Sequence, residues 1–231
     1  VIVPAPASGR TGCSQSPLRS RYSASCPVAR FGESRPRLGA SVPGLRILHL
    51  SDLHASAAQR DDLRTVIEPL LHDVARMHEE RQVGLVIWSG DLAFSGTREQ
   101  YELATELLLR PLLGMLNLPE SRLVLVPGNH DVDRTLIDDV YETGLAAMLT
   151  GRDALDALLQ NPEKAERAAT RLTAWRSFQD EFFAPSEKPV TVPPFASVRR
   201  IEVDGLKIGI GAFDSAWRSS GDFDRGRLLL G

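Results

Sequence analysis

The stretch SRLVLVPGNHDVDR, residues 121–134, joins an apolar run to a dense polar cluster. The continuous apolar residues predict a strand buried on both faces, and Pro127 with Gly128 predicts a turn at its end. An ordinary turn needs only one or two residues such as Asn or Asp to cap its backbone. Here four residues able to bind metal or move protons follow the strand: Asn129, His130, Asp131 and Asp133. This excess indicates that the strand ends in a functional site.

Two earlier stretches repeat this design, LRILHLSDLH at residues 45–54 and VGLVIWSGDLA at residues 83–93. Between the three runs, apolar residues recur at intervals of three and four, which predicts a helix in each connection, kinked or restarted at Pro69 in the first. Strand, helix and strand in this order make right-handed parallel crossovers, so all three strands have their carboxyl ends along one edge of a sheet. Open α/β sheets bind ligands at that edge.

The sequence further downstream predicts a helical segment and a hairpin. Residues 135–184 are predicted to be mostly helical, with breaks near Gly151 and Asn161, and to form an inserted layer on the core; a lid over the site is the alternative. The clearest apolar stripe of this segment contains Ala165, Ala168, Leu172, Trp175, Phe178 and Phe182. A Pro-rich loop, KPVTVPPFAS, then precedes VRRIEVDG and LKIGIGAFDSAW, which predict a hairpin turning at Asp204 and Gly205.

Composition divides the chain into a leader, residues 1–44, and one domain, residues 45–231. The 231 residues, 42% of them hydrophobic, suffice for one core. The leader has six Arg and one acidic residue, and its Ser and Pro content predicts disorder; its prolines argue against the helix of a transit peptide. The domain has 21 basic and 29 acidic residues, which disfavours nucleic-acid binding and suits a cation site.

Cysteine content and hydropathy indicate the compartment. Cys13 and Cys26 are too few and too isolated for a disulfide framework or a thiolate metal site, so a cytoplasmic location is the simplest prediction. The sequence contains no apolar run long enough to predict a membrane span.

Each predicted strand ends in side chains that metal ions prefer. Asp52 and His54 follow the first strand, Asp91 follows the second, and Asn129 and His130 follow the third. Residues i and i+2 of an extended segment point the same way, so Asp52 and His54 are expected to reach one ion together. One such residue alone is more often a turn or capping residue, but three groups at neighbouring strand ends predict a metal site. Paired cations could clamp a phosphate and supply a hydroxide to attack phosphorus.

In these motifs the chain resembles the calcineurin-like metallophosphoesterase superfamily. The superfamily motifs Asp-x-His, Gly-Asp and Gly-Asn-His-Asp stand here as DLH at 52–54, GD at 90–91 and GNHD at 128–131. The resemblance covers residues 45–231 and implies a four-layer α/β/β/α sandwich, incomplete at the carboxyl end, with two bound divalent metal ions.

The resemblance also implies a role for each matched residue. His130 would protonate the leaving-group oxygen or stabilise the phosphoryl transition state, and Asp131 would orient its ring. Mn²⁺, Fe or Zn²⁺ suits the mixed ligand types. Asp133 is expected mainly to cap the next helix. The implied metal ligands are Asp52 and His54 for the first ion, Asp91 as the bridge, and Asn129 for the second ion.

The sequence departs from the superfamily pattern at its carboxyl end. The pattern contains further histidines, in a Gly-His and a Gly-His-x-His motif, that this sequence lacks. Of the remaining histidines, His72 and His78 are expected to have solvated or partly buried structural roles on the first helix, and His49 to lie in the core or to support a ligand from behind. We therefore expect a domain truncated after Gly231, with little or no activity, and a domain fused beyond that residue is a candidate partner.

The predicted function is hydrolysis of phosphomonoesters or phosphodiesters, with small phosphoesters or nucleotides, cyclic ones included, as candidate substrates. GDLAFSG and GNHD differ from the Gly-Asp-x-Val-Asp-Arg-Gly and Gly-Asn-His-Glu motifs of Ser/Thr protein phosphatases, which disfavours that branch. Two alternatives stay open. One is a degenerate metal-binding module that regulates a fused partner, and the other is a nuclease, which the acidic domain disfavours.

Overall fold

Two β-sheets form the centre of the protein in a computed structural model, which describes residues 2–4, 44–185, 188–192, 195–203, 205–221 and 228–229. The strands are β1 (Ile2–Pro4), β2 (Ile47–Leu50), β3 (Leu85–Trp88), β4 (Leu123–Leu125), β5 (Val190–Val192), β6 (Ala196–Val203) and β7 (Leu206–Phe213). Strands β2, β3 and β4 form a parallel sheet in that order, as predicted. Strands β3 and β4 are largely buried, whereas β2 lies at the sheet edge and is partly exposed.

The connections between the parallel strands are helical, as predicted. Helix α1 (Arg60–Glu80) continues through Pro69 without a restart and buries Leu63, Ile67 and Val74. The second connection contains α2 (Arg98–Ala104), a π-helical turn (Thr105–Leu109) and α3 (Arg110–Met115). The π turn directly precedes Arg110 and Pro111; Pro111 has no amide hydrogen, so a regular α-helical ladder cannot run through this point.

The segment between residues 135 and 184 contains four helices: α4 (Asp139–Met148), α5 (Arg152–Leu159), α6 (Pro162–Ala168) and α7 (Thr173–Phe182). Their buried apolar side chains belong to the same core as the parallel sheet. The buried Arg171 forms an ion pair with Glu142 and donates to the carbonyl of Ser219, and its own carbonyl accepts from the amide of Asp133 at 3.0 Å. The helical segment is therefore packed against the fold and bonded to the loop that follows β4.

The antiparallel sheet has the order β1-β7-β6-β5. Strands β6 and β7 form the predicted hairpin, with Val203 paired to Leu206 and Gly205 at φ +78°. Two strands differ from expectation. Strand β5 lies within the stretch predicted to be a Pro-rich loop, and β1 lies within the leader predicted to be disordered. The remaining leader residues up to 43 lie outside the described residues, so their disorder stays a prediction.

The buried faces of the two sheets define the layers of the fold. Helices cover one face of the parallel sheet, and a smaller apolar cluster from β3, β4, β6 and β7 joins its other face to the antiparallel sheet. The outer face of the antiparallel sheet carries Val198 and Phe213, which are 41% and 46% exposed. The described residues thus form three layers of the α/β/β/α sandwich. Among the described helices, none combines the length and apolar character needed to cross a bilayer.

Candidate metal centre

The carboxyl edge of the parallel sheet brings three loops together. The amide of Asp52 donates to the carbonyl of Gly90 at 3.1 Å, and the amide of His54 donates to the carbonyl of Asp91 at 2.9 Å. The amide of His130 donates to Asp91 Oδ1 at 2.9 Å. The loops after β2 and β4 are therefore both bonded to the loop after β3, and Asp91 lies between them.

Left-handed backbone is concentrated at this edge. Four non-glycine residues in the described part of the chain have a positive φ, and three of them are Asp52 at 63°, His54 at 51° and Asp91 at 54°. Such conformations are uncommon outside glycine and cluster at active sites and ligand clamps. The extended geometry used to predict that Asp52 and His54 are close is therefore wrong. Their side chains are nevertheless close, with His54 Nε2 3.9 Å from Asp52 Oδ1.

Three potential metal ligands converge between the loops. One ligand atom from each of His54, Asp91 and His130 lies within 4.8 Å of the other two. Asp91 Oδ2 is 4.0 Å from His54 Nε2, and the His54 and His130 rings meet edge to face with centroids 4.5 Å apart. Asn129 is exposed in the same loop as His130. The structure thus groups His54, Asp91 and His130, with Asp52 adjacent to His54.

The donor set of this cluster fits a divalent metal ion. Two imidazoles and carboxylate oxygens are ligands that Mn²⁺, Fe and Zn²⁺ accept. The nitrogen of His54 that faces the carboxylates of Asp52 and Asp91 is Nε2, which suits a ligand atom. The other ring nitrogen, Nδ1, is buried and has no hydrogen-bond partner among the described residues.

The hydrogen bonds of His130 define the state of its ring. His130 Nδ1 lies 2.7 Å from the backbone carbonyl oxygen of Phe94. A carbonyl oxygen can only accept, so Nδ1 carries the hydrogen and Nε2 is the nitrogen that can act at the cluster. The resemblance implied that Asp131 orients this ring. In the structure it is Phe94 that contacts Nδ1.

Asp131 has a different set of partners. Its side chain is fully buried and accepts from the amides of Leu92 at 3.2 Å, Ala93 at 2.8 Å and Gly128 at 2.9 Å. Burial raises the pKa of Asp131 to about 6, although the three backbone donors oppose this rise. Asp131 therefore bonds the loop after β3 to the loop after β4.

Two glycines allow these loops to approach each other. Gly90 has a φ of +128°, which side chains rarely adopt. A Cβ added at Gly128 would lie 2.2 Å from Asp91 Oδ1 and 2.5 Å from Asp91 N. The glycine in each motif thus removes bulk where two backbones meet beside the candidate ligand.

Sequence comparison agrees with this geometry. The family model of the calcineurin-like phosphoesterases matches residues 45–205, which include all three motifs and both crossovers. The chain belongs to this family. No curated protein matches the chain in the corresponding comparison.

Other polar residues of this calcineurin-like phosphoesterase have structural positions. Asp133 caps the 3₁₀ turn Arg134–Leu136 by accepting from the Thr135 amide, which confirms the prediction of a cap. The three histidines outside the motifs do not belong to the potential metal-ligand group found among the described residues. His49 contacts Ser89 Oγ at 2.6 Å, His72 is exposed on α1, and His78 Nδ1 accepts from the amide of Val83 at 3.0 Å.

The sequence did not predict the contacts of several residues around the phosphoesterase centre. Phe94 orients His130 through its carbonyl, a contact that any residue type could make. The buried Tyr101 donates its hydroxyl to the carbonyl of Asp131 at 3.0 Å, and burial raises its pKa. In the sequence, Tyr101 reads as one more apolar position of a helix. Gln100 accepts from the amide of Ser95 at 2.8 Å and so holds the end of the Phe94 loop.

A second buried carboxylate, Asp214, lies outside the centre. Its Oδ1 accepts from the amides of Ala216 at 2.7 Å and Trp217 at 2.9 Å, and burial raises its pKa to about 7. Asp214 lines a cavity of about 360 Å³ beside Pro127. None of the six predicted site residues is among the described residues lining this cavity.

We expect Asp214→Asn to change how stability depends on pH. The pKa of Asp214 rises from 3.8 to about 7 on folding. The contribution of Asp214 to the free energy of unfolding is therefore fully present below about pH 4 and is lost as the pH rises through about 7. Asn keeps the Oδ1 acceptor and does not ionise. Denaturant unfolding measures the free energy of unfolding at pH 5 and pH 8. Between these two pH values, wild type should lose about 2 to 3 kcal/mol more of this free energy than the variant does.

The control for this comparison is Asp73→Asn, which removes an exposed carboxylate on α1. Its pH dependence should match that of wild type, because exposed charges contribute little to stability. Equal pH dependence in Asp214→Asn and wild type would contradict the raised pKa of Asp214.

Proposed function

We propose that this chain carries a metal-dependent phosphoesterase centre that hydrolyses phosphomonoesters or phosphodiesters. The observation that supports the proposal best is the convergence of His54, Asp91 and His130 ligand atoms within 4.8 Å at the carboxyl edge of the parallel sheet. Each of these residues comes from a different loop, and all three loops are bonded together by backbone and side-chain hydrogen bonds. Such convergence is characteristic of a binding site at the edge of an open sheet.

The ligand roles in this proposal follow the superfamily pattern. Asp52 and His54 would hold one divalent ion, Asp91 would be shared with the second ion, and Asn129 would hold that second ion; Mn, Fe and Zn all suit this set. Bound metal of this kind supplies a hydroxide at neutral pH and neutralises charge on a phosphate. The close approach of Asp91 to both neighbouring loops supports the bridging role.

His130 is the proposed proton donor to the leaving-group oxygen. The Phe94 carbonyl holds Nδ1–H, so a proton on Nε2 can be delivered to the cluster where the phosphoester binds. The His130 ring meets the ring of the proposed ligand His54 with centroids 4.5 Å apart, so this proton would be available beside a phosphate held at the site. We propose Asp131 as a positioning residue, since its oxygens accept from backbone amides of both loops.

Small phosphoesters or nucleotides are the proposed substrates, and a domain fused beyond Gly231 remains a proposed partner. The acidic balance of residues 45–231 supports a cation site and offers little attraction to a nucleic-acid backbone. Cyclic nucleotides belong to the same chemical class and are part of the proposal.

The test measures metal binding and hydrolysis together. The purified chain is titrated with Mn²⁺ by calorimetry and then assayed with p-nitrophenyl phosphate and bis(p-nitrophenyl) phosphate, before and after removal of metal with EDTA. We expect Mn²⁺ binding and slow hydrolysis that EDTA abolishes, in keeping with the low activity predicted from the sequence. His54→Gln should weaken Mn²⁺ binding, whereas the matched control His72→Gln, an exposed histidine on α1, should not.

Each other outcome has a definite meaning for the proposal. Absence of Mn²⁺ binding would overturn the metal centre. Metal binding without hydrolysis of either ester would overturn the enzymatic proposal and favour the regulatory metal-binding module. Equal Mn²⁺ affinity in His54→Gln and wild type would contradict the assignment of His54 as a ligand.

A further inference from the structure

Phe94 is an exposed aromatic residue at the centre of the candidate site. Half of its surface is accessible, at 50%. Its ring centroid lies 5.6 Å from that of His130 and 6.4 Å from that of His54, two of the three residues in the ligand cluster. The site therefore has an apolar wall immediately beside the place where a phosphate would bind.

The loop that carries Phe94 is fixed on both sides. The Phe94 amide donates to the carbonyl of Ala55 at 3.1 Å, and the preceding amide of Ala93 donates to Asp131 Oδ1 at 2.8 Å. On the other side, a Cβ added at Gly96 would lie 2.7 Å from Asp133 N, so this glycine packs directly on the following loop. Because the backbone is already ordered, binding a ligand against Phe94 costs little conformational entropy.

We propose that Phe94 selects phosphoesters whose alcohol portion carries an aromatic ring, as a nucleotide does, by stacking with that ring. The inference rests on the proposed function, because it needs a phosphate bound at the cluster of His54, Asp91 and His130. Phe94 has no charge or polar side-chain atom, so it can add nothing to phosphate binding itself. Phe94 can therefore contribute binding affinity only through the group that is attached to the phosphate.

Stacking chemistry makes an aromatic group the expected occupant. A nucleobase stacked on a protein aromatic ring contributes enough affinity to distinguish it from a sugar alone, and it does so for any base because every base has a π face. A fixed, half-exposed ring next to two imidazoles supplies such a surface. The site is therefore expected to bind nucleotides and aryl phosphates more tightly than alkyl phosphates and simple sugar phosphates.

The test compares adenosine 5′-monophosphate with ribose 5-phosphate, which has the same sugar and phosphate without the base. Calorimetry in the presence of Mn²⁺ gives the dissociation constant of each compound for wild type, Phe94→Leu and Phe94→Tyr. Wild type should prefer the adenosine compound by about tenfold or more. Phe94→Leu should lose most of this preference through weaker binding of the adenosine compound, and Phe94→Tyr should retain it.

The matched control is Phe213→Leu, since Phe213 is 46% exposed on the outer face of the antiparallel sheet. It should keep the preference of wild type. If wild type binds both compounds equally, or if Phe94→Leu weakens both by the same factor, the stacking role is overturned while the phosphoesterase proposal stands. If wild type binds neither compound with Mn²⁺, the proposed function fails and the stacking role fails with it.

Discussion

Asp91→Asn is expected to lower the affinity of the protein for Mn²⁺ by more than about 100-fold. Removing a residue that merely hydrogen-bonds a metal ligand already lowers metal affinity by about 10- to 100-fold. Asp91 Oδ1 accepts from the His130 amide, and Oδ2 faces His54 Nε2 at 4.0 Å. In the variant, the carbonyl oxygen can keep the first contact, and the amide NH₂ then replaces the oxygen that faces the cluster. An NH₂ group cannot bind a cation, so one ligand atom and its charge are lost.

The substitution is a specific probe because it spares the backbone. Asp91 has a φ of 54°, and Asn tolerates this left-handed region as well as Asp does. Calorimetric titration with Mn²⁺ measures the affinity, and circular dichroism checks that the fold is unchanged. Hydrolysis of p-nitrophenyl phosphate, where wild type shows it, should fall together with metal binding.

Asp133→Asn provides the matched control for the loss of charge. Asp133 lies in the loop after β4 and caps a 3₁₀ turn through the Thr135 amide, a role that Asn fulfils equally well. We expect an Mn²⁺ affinity close to that of wild type. An Asp91→Asn protein that binds Mn²⁺ as tightly as wild type would contradict the central position assigned to Asp91.

The sequence was most informative where burial and chain connectivity dictate structure. Short runs that are apolar at nearly every position are typical of strands buried on both faces, and β3 and β4 are such strands. Helical connections between them favour a parallel sheet, which predicts that Asp52, Asp91 and Asn129 lie at one edge. The hairpin of β6 and β7 followed from strands flanking a glycine turn. In each case the prediction depended on residue type and order alone.

The details of the site could not be predicted in this way. Asp52 and His54 are close because both have a left-handed backbone, whereas the prediction assumed an extended one. The partners of Asp131 are backbone amides, which have no sequence signature. Strand β5 was missed because Pro residues flank a run of only three residues, Val190–Val192, and its pairing with β6 is a tertiary contact.

Gly128→Ala is the second substitution expected to have a large effect. The added Cβ would lie 2.2 Å from Asp91 Oδ1, 2.5 Å from Asp91 N and 2.8 Å from Asp91 Cγ. The backbone nitrogen cannot move without disturbing the hydrogen bond from His54 N to the Asp91 carbonyl. The loops after β3 and β4 must therefore separate. Overpacking of this kind typically costs about 1 to 3 kcal/mol of unfolding free energy.

Metal binding should suffer together with stability, because separating the two loops displaces Asp91 from His130. We expect Mn²⁺ affinity to fall by about 10- to 100-fold, the usual cost of disturbing the support of a ligand. The matched control is Gly144→Ala in α4, where nothing lies within 4 Å of the added Cβ. Alanine is favoured over glycine in a helix, so this variant should gain up to about 1 kcal/mol and bind Mn²⁺ as wild type does. Denaturant unfolding measures the change in stability, and calorimetry measures the change in Mn²⁺ affinity. Equal stability and equal Mn²⁺ affinity of the two alanine variants would show that the close contact between Gly128 and Asp91 does not constrain the centre.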